Sequence, residues 1–264
     1  MIIKDKILDF ASEFWGEDRL CLTENLFCVL DGATPIEQSD FAQYHSSAEW
    51  MADRMAAYIV EEADRSVPYP LICKEFVDLE ADILRSIPVA HHLPCLTTSA
   101  LQYDAGLLKC WVLGDCSIYL LMKNGEIRHI TDQRVKAFSQ KTIQCKAEAI
   151  RRGEDPTKVV LEQRIQNKKM MNHPDGYWTV GFVGSFESRF VAYSMEAESV
   201  QAVLLCTDGL DRLFSYYDIT PKDLLTEKMT LEDAVRYLRQ RERSDQNTEI
   251  KRHDDVGAIL LKNP

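Results

Sequence analysis

The chain has 264 residues, 45% of them hydrophobic, with 42 acidic against 31 basic side chains and a formal net charge of −11 at pH 7. That is enough apolar side chain for a packed core and excludes a disordered chain. The acidic balance disfavours an extended nucleic-acid backbone as partner and suits a metal or a basic partner, although a solvated surface accounts for most of the excess.

Eight cysteines lie in apolar stretches without a C-x-x-C pair, so they read as small buried hydrophobes in a reducing compartment, not as zinc ligands or a redox pair. The opening Met-Ile-Ile-Lys-Asp-Lys has no signal-peptide core, and no apolar run reaches the ~18–20 residues of a membrane helix. The expectation is a cytoplasmic protein without membrane contact.

Asn25 to Leu30 (NLFCVL) is a short apolar run stopped by Asp31-Gly32, and its length favours a buried strand. From Ser46 to about Ala63, Trp50, Met51, Met55, Tyr58 and Ile59 recur at helical spacing behind an N-cap at Ser46 or Ser47. Pro68 and Pro70 punctuate the chain before a second helix over 72–87, with Phe76, Leu79, Ile83 and Leu84 on one face. The short connection predicts that the two helices pack antiparallel.

Strand character follows in Thr97–Tyr103, Leu108–Leu113, Ser117–Leu121 and Glu126–Ile130, separated by Asp104-Ala105-Gly106, Gly114-Asp115 and Asn124-Gly125. This predicts an antiparallel meander, incompatible with a doubly wound parallel sheet. Residues 132–175 are polar and helix-prone around Arg151-Arg152-Gly153-Glu154-Asp155-Pro156 and predict an inserted helical flap. Strands return at Tyr177–Phe182, Phe190–Ser194 and Ala202–Cys206, the last ending in the acidic turn Thr207-Asp208-Gly209. A helix around Leu231–Arg241 precedes His253-Asp254-Asp255 and the strand Gly257–Leu261. No repeat or linker divides the chain, so residues 1–264 are expected to form one domain.

Asp31 and Asp208 follow apolar strands, Asp254 shortly precedes one, and Asp115 sits in a turn between two. A single Asp-Gly is an ordinary turn dipeptide. Several together suit hard divalent cations, which prefer oxygen ligands and keep waters, so a few carboxylates and a backbone carbonyl suffice. The glycine after Asp31 allows a sharp turn that could bring a carbonyl oxygen towards a metal.

In order, Gly16-Glu17-Asp18-Arg19-Leu20, Phe27-Cys28-Val29-Leu30-Asp31-Gly32, Val112-Leu113-Gly114-Asp115-Cys116, Leu205-Cys206-Thr207-Asp208-Gly209-Leu210 and Asp254-Asp255-Val256-Gly257-Ala258-Ile259 resemble the motif set of the metal-dependent type 2C protein phosphatases. The resemblance spans about residues 15–262. It implies an α+β, four-layer αββα sandwich: two antiparallel sheets flanked by antiparallel helix pairs, with the flap inserted. It also implies two Mg²⁺ or Mn²⁺ ions in a cleft at one end. By resemblance Asp31 bridges the two ions, Asp208 and Asp254 complete the first, the carbonyl of Gly32 joins the second, and Glu17 reaches it through water. Asp18 orients metal-bound water, and Asp115 with Asp208 forms the weaker third site of bacterial members. Asp254, not Asp255, aligns with the first residue of the family's D-N-x-T. Asp18, Asp31 and Asp208 are thus the expected catalytic residues.

The implied activity is hydrolysis of phosphoserine, phosphothreonine or aryl phosphate monoesters by a metal-bridging hydroxide, with a phosphorylated protein as substrate and no phosphoenzyme. Cys28, Cys116 and Cys206 lack a phosphate-binding loop, which argues against a cysteine phosphatase. The chain is expected to be a monomer. Asp31-Gly32-Ala33-Thr34-Pro35 departs from the family pattern: its His is missing, as is the arginine expected before Glu17, for which Arg19 or Lys6 are substitutes. Gly257 replaces the last motif's Thr. The segment is similar to a divergent bacterial branch. These departures support an alternative, a catalytically weak relative that binds phosphorylated partners; a metal nuclease is disfavoured by the charge. His91, His92, His129 and His173 read as surface or turn residues, and His45 is the histidine nearest Asp31 in sequence.

Overall fold

The computed structural model describes residues 1–33, 36, 43–65, 67–81, 93–244 and 253–263. Two antiparallel sheets stack face to face. One has five strands in the order β1 (Ile2–Asp9), β11 (Val256–Lys262), β10 (Val200–Cys206), β6 (Ser117–Met122), β7 (Ile127–Ile130). The other has six: β2 (Asp18–Leu22), β3 (Leu26–Gly32), β4 (Cys95–Asp104), β5 (Leu107–Leu113) and β9 (Val191–Glu196), with the two-residue β8 (Val180–Gly181) paired to the start of β4. Alternate side chains point to opposite faces. Val29, Leu101, Cys110 and Val112 of the second sheet thereby meet Ile118, Leu120, Val203, Leu205 and Ile259 of the first in a core between the sheets.

Helices cover both outer faces. On β3 and β4 lie α1 (Ser47–Glu62) and α2 (Tyr69–Glu80), burying Trp50, Met51, Met55, Ile59, Ile72 and Phe76. Their contacts run in opposite sequence order, Arg54 with Glu80, Tyr58 with Phe76, and Arg65 with Glu75 at 2.8 Å, as an antiparallel pair requires. On the other face α5 (Asp208–Tyr216), α6 (Pro221–Leu225) and α7 (Leu231–Ser244) seal Leu204, Cys206 and Leu260 with Leu210, Leu213, Leu224, Leu225 and Leu238. This gives the four layers expected, with three helices instead of a pair on that side.

The flap is a hairpin of α3 (Arg134–Arg152) and α4 (Pro156–Lys169). Gly153 caps α3 with φ +70°, the Asp155 carboxylate caps α4 by accepting from the Thr157 N–H at 2.9 Å, and Pro156 occupies the first turn. Asn167 reaches Thr142 Oγ1 at 2.9 Å, locking the two helices.

Several sequence expectations need correction. The four-strand meander is two hairpins in different sheets: after β5 the chain crosses at Gly114-Asp115-Cys116 and β6 pairs with β10. Alternating hydrophobicity says which residues are buried but not which sheet a strand joins. The strand Tyr177–Phe182 is reduced to Val180–Gly181. The second helix starts earlier, with Pro70 in its first turn where no N–H is needed, and Leu79 is exposed instead of facing the core. Asp208-Gly209 is not a turn but the start of α5. The sequence reading also missed β1, β2 and α6. Cys145 is half-buried while the other cysteines are buried. His129 is exposed as expected, but on β7 and not in a turn, stacked on Tyr119 at 4.2 Å and bonded to Ser117 at 2.9 Å. Ile83, Leu84, His91, His92, Thr34 and Pro35 lie outside the described residues.

Candidate metal centre

Antiparallel pairing brings the start of each strand beside the end of its neighbour, which gathers the acidic segments at one end of the sandwich. Asp18 opens β2 directly opposite Asp31 near the end of β3, and Asp31 is opposite Thr97 near the start of β4. In the facing sheet Cys206 at the end of β10 lies between Ser117 and Ala258, placing Asp208 and the 253–255 segment at the same end. Gly114 makes the crossing with φ +83°, and a β-carbon there would stand 2.3 Å from Thr97 Cγ2. Asp115 follows it into the cleft. Gly209 lets α5 start against the 255–256 backbone: a β-carbon would fall 1.8 Å from the Asp255 carbonyl oxygen.

Two clefts meet on this floor. The smaller, about 310 Å³, is lined by Trp15, Glu17, Asp18, Asp31, Gly32, His253, Asp254 and Asp255 among others. The larger, about 650 Å³, runs from Asp31, Gly32, Asp115, Asp208 and Asp254 out along the flap, past Phe138 and Lys168. Every residue expected at the metal site therefore lines one cleft or the other, and Asp31, Gly32 and Asp254 line both.

The carboxylates repel. Burial, then Asp18, Asp208, Asp115 and Asp254, hold Asp31 well above the usual carboxylate range. Burial and Asp255 do the same to Asp18, against a hydrogen bond from Thr207. Asp115 is pushed up to about 6, chiefly by burial, with Thr97 acting in the opposite sense. Asp18 is 2% exposed, and its Oδ2 has no hydrogen-bond partner among the described residues. Among the described residues no three His, Cys, Asp or Glu side chains are gathered tightly enough to enclose an ion by themselves. The fit to a metal rests on the donor set: all-oxygen ligands, mutual repulsion that a cation relieves, and an orphaned buried oxygen. These suit a hard divalent ion that keeps part of its water shell.

Other residues hold the acids in place, and the sequence reading gave most of them no role. Ser46 Oγ donates to Glu17 Oε1 at 2.6 Å while accepting the Glu49 N–H at 3.0 Å, so one hydroxyl caps α1 and fixes Glu17. Thr207 accepts the Gly257 N–H at 2.9 Å besides bonding Asp18. The Asp255 carboxylate accepts the N–H groups of Ala11 at 2.7 Å and Glu17 at 2.6 Å, so it serves the backbone while its neighbour Asp254 lines both clefts. From sequence, Ser46 reads only as a cap and Thr207 only as part of a motif.

Arg19 is committed elsewhere, to Asp53 at 2.9 Å and to the carbonyls of Gly16 and Asp18 at 2.8 and 2.7 Å. Lys6 is exposed in mid-β1, opposite Ile259. Neither lines either cleft. His45 stacks on Trp15 at 5.2 Å and bonds Glu49 at 3.2 Å. Burial pushes the thiols of Cys116 and Cys206 well up, the reverse of an activated nucleophile.

The profile of the family described as Protein phosphatase 2C matches residues 20–252. The chain belongs to the protein phosphatase 2C family. No curated protein matches it in sequence. Among solved structures it is similar to the serine/threonine phosphatase Stp1 from Staphylococcus aureus (TM-score 0.61, 15% identity, covering 100% of this chain and 96% of that one). It is also similar to the Mycobacterium tuberculosis serine/threonine phosphatase PstP/Ppp (TM-score 0.55, 15% identity, 98% and 97% covered). The PstP catalytic domain in complex with two manganese ions gives a TM-score of 0.58 at 17% identity, with 97% and 96% covered. At these identities the solved structures bear on the fold. Among the described residues no helix is long and apolar enough to cross a membrane.

Proposed function

We propose that this protein phosphatase 2C chain is a Mg²⁺- or Mn²⁺-dependent phosphoprotein phosphatase acting on phosphoserine and phosphothreonine, with residues 1–264 as one catalytic domain. The observation that carries this reading is the convergence of Asp18, Asp31, Asp115, Asp208 and Asp254, from separate segments, where two clefts meet, with Asp31 and Asp254 lining both. Asp31, Asp208, Asp254 and the Gly32 carbonyl would hold two ions, with Glu17 acting through water and Asp115 serving a third with Asp208. Divalent ions bound there lower the pKa of water towards neutrality and offset charge on the phosphoryl oxygens.

The chain's own residues do the rest. Thr207 steers Asp18, and Ser46 and Asp255 set Glu17. The flap wall, with Phe138 and Lys168, is where peptide flanking the phosphorylated residue would lie.

The test is a Mn²⁺ and Mg²⁺ titration of phosphate release from phosphopeptides, with Asp208→Asn as control. Metal-dependent release lost in the variant supports the reading, and equal release in both refutes it. The commitment of Arg19 to Asp53 favours a second reading, a weak phosphatase that binds phosphorylated partners; phosphopeptide binding without turnover would select it.

A further inference from the structure

A charge network centred on two α7 residues outside the clefts reaches the metal centre through Arg212 and His253, which line the larger and the smaller cleft. Glu242, 2% exposed, accepts from Arg239 Nη1 at 2.9 Å, pairs with Arg212 Nη1 at 3.0 Å and meets His253 Nδ1 at 2.8 Å. Arg212 belongs to α5, the helix that Asp208 opens, and His253 immediately precedes Asp254. Arg239 donates from Nη2 to the Asp254 carbonyl oxygen at 2.6 Å and from Nε to Asp9 Oδ2 at 2.8 Å, where β1 ends. Four pieces of chain are thus joined: α5, α7 and the 253–255 segment from the C-terminal part of the sequence, and the end of β1, some 230 residues from Arg239.

A buried carboxylate is costly unless paired, and removing one partner leaves a charge uncompensated. A planar guanidinium with several donors can hold three acceptors at fixed separations, which a lysine cannot. Glu242 and Arg239 line neither cleft. Resting on the metal-dependent reading above, we infer that Glu242 and Arg239 are positioning residues for the metal centre, fixing the spacing of Asp208 and Asp254 by tying α5 to the 253–255 backbone. Outer partners of this kind set metal affinity by holding ligands at the productive separation.

The test measures Mn²⁺ affinity from the free-ion electron paramagnetic resonance signal, and separately the melting temperature in EDTA. It is applied to the full chain and to Arg239→Lys, Glu242→Gln and the control Arg236→Ala. Arg236 lies on the same helix, is 64% exposed, and pairs with Glu232 and Asp233. The expected result is a Kd for Mn²⁺ raised ~10–100-fold in Arg239→Lys and Glu242→Gln, with the EDTA melt of Arg239→Lys near wild type and Arg236→Ala unchanged in both. If Glu242→Gln does not fold, Arg239→Lys decides. Wild-type Mn²⁺ affinity in Arg239→Lys overturns the inference and leaves the phosphatase reading standing, as does an equal loss in Arg236→Ala. A wild-type chain that takes up no Mn²⁺ overturns both.

Discussion

The two ends of the sandwich use the same residue type to opposite effect. At one end the chain turns through Thr23–Asn25, Asp104-Ala105-Gly106 and Asn124-Gly125, where Asp104 is 58% exposed and paired with Lys109 at 2.7 Å. At the other, Asp18, Asp31 and Asp115 face like charges, and burial drives their carboxyls up. Both ends carry an aspartate at or beside a strand terminus with a glycine within two residues, Asp104 with Gly106 at one and Asp31 with Gly32 at the other. What separates them is a cation within reach at one end and the company of other carboxylates at the other. Aspartate at a turn is local structure; aspartates converging from distant segments are a place for charge to be neutralised.

The largest effect should come from removing one acid at each end. Asp208→Asn should cut Mn²⁺-dependent phosphate release by more than the ~10–100-fold typical of outer partners, while Asp104→Asn leaves it unchanged. An equal response at the two ends would erase the distinction.

Glycine tests the same contrast in stability. Gly114→Ala places a methyl against Thr97 at φ +83° and should cost about 3–5 kcal/mol in denaturant melts. Gly106→Ala and Gly125→Ala, with similar φ but nothing within 4 Å, should each cost about 1–2 kcal/mol.

The acidic end lacks the family's histidine, and that predicts a dependence on leaving group. Serine phosphate should be hydrolysed ~10²-fold more slowly than an aryl phosphate, whose leaving group needs less protonation. Equal rates with chemistry limiting would show that another group supplies the proton.

The smallest effect is in pH. The folded-state pKa of Asp115 is raised, so its contribution to stability is full below the unfolded value of about 3.9 and is lost as pH rises through about 6. In EDTA the melting temperature should fall across that window by a few degrees more in wild type than in Asp115→Asn. Saturating Mn²⁺ should reverse the slope, because metal binds the deprotonated form.

Much of this was legible in the sequence, for reasons that also mark the limit. Asp31, Asp208 and Asp254 stand out because each breaks or precedes an apolar run, and the ordered motifs carried the fold with them. Helix α1 was readable from its 3.6-residue pattern and its Ser46 cap. The β5–β6 split was not, since a sheet assignment is decided by partners far along the chain and the only local sign is Gly114. β1 escaped notice because it is an edge strand whose Ile2, Ile3 and Leu8 remain exposed, leaving no clean alternation. Helix α5 was hidden by Asp208-Gly209, a dipeptide that usually turns. The supporting set of Ser46, Thr207, Asp255, Arg239 and Glu242 acts through tertiary hydrogen bonds, which no spacing rule predicts.

The most direct measurement is the number of Mn²⁺ ions bound per chain, counted by equilibrium dialysis for wild type, Asp31→Asn and Asp104→Asn. The account predicts about two or more ions for wild type and Asp104→Asn and fewer for Asp31→Asn. Uptake by Asp31→Asn equal to wild type, or no uptake by wild type at all, would contradict it.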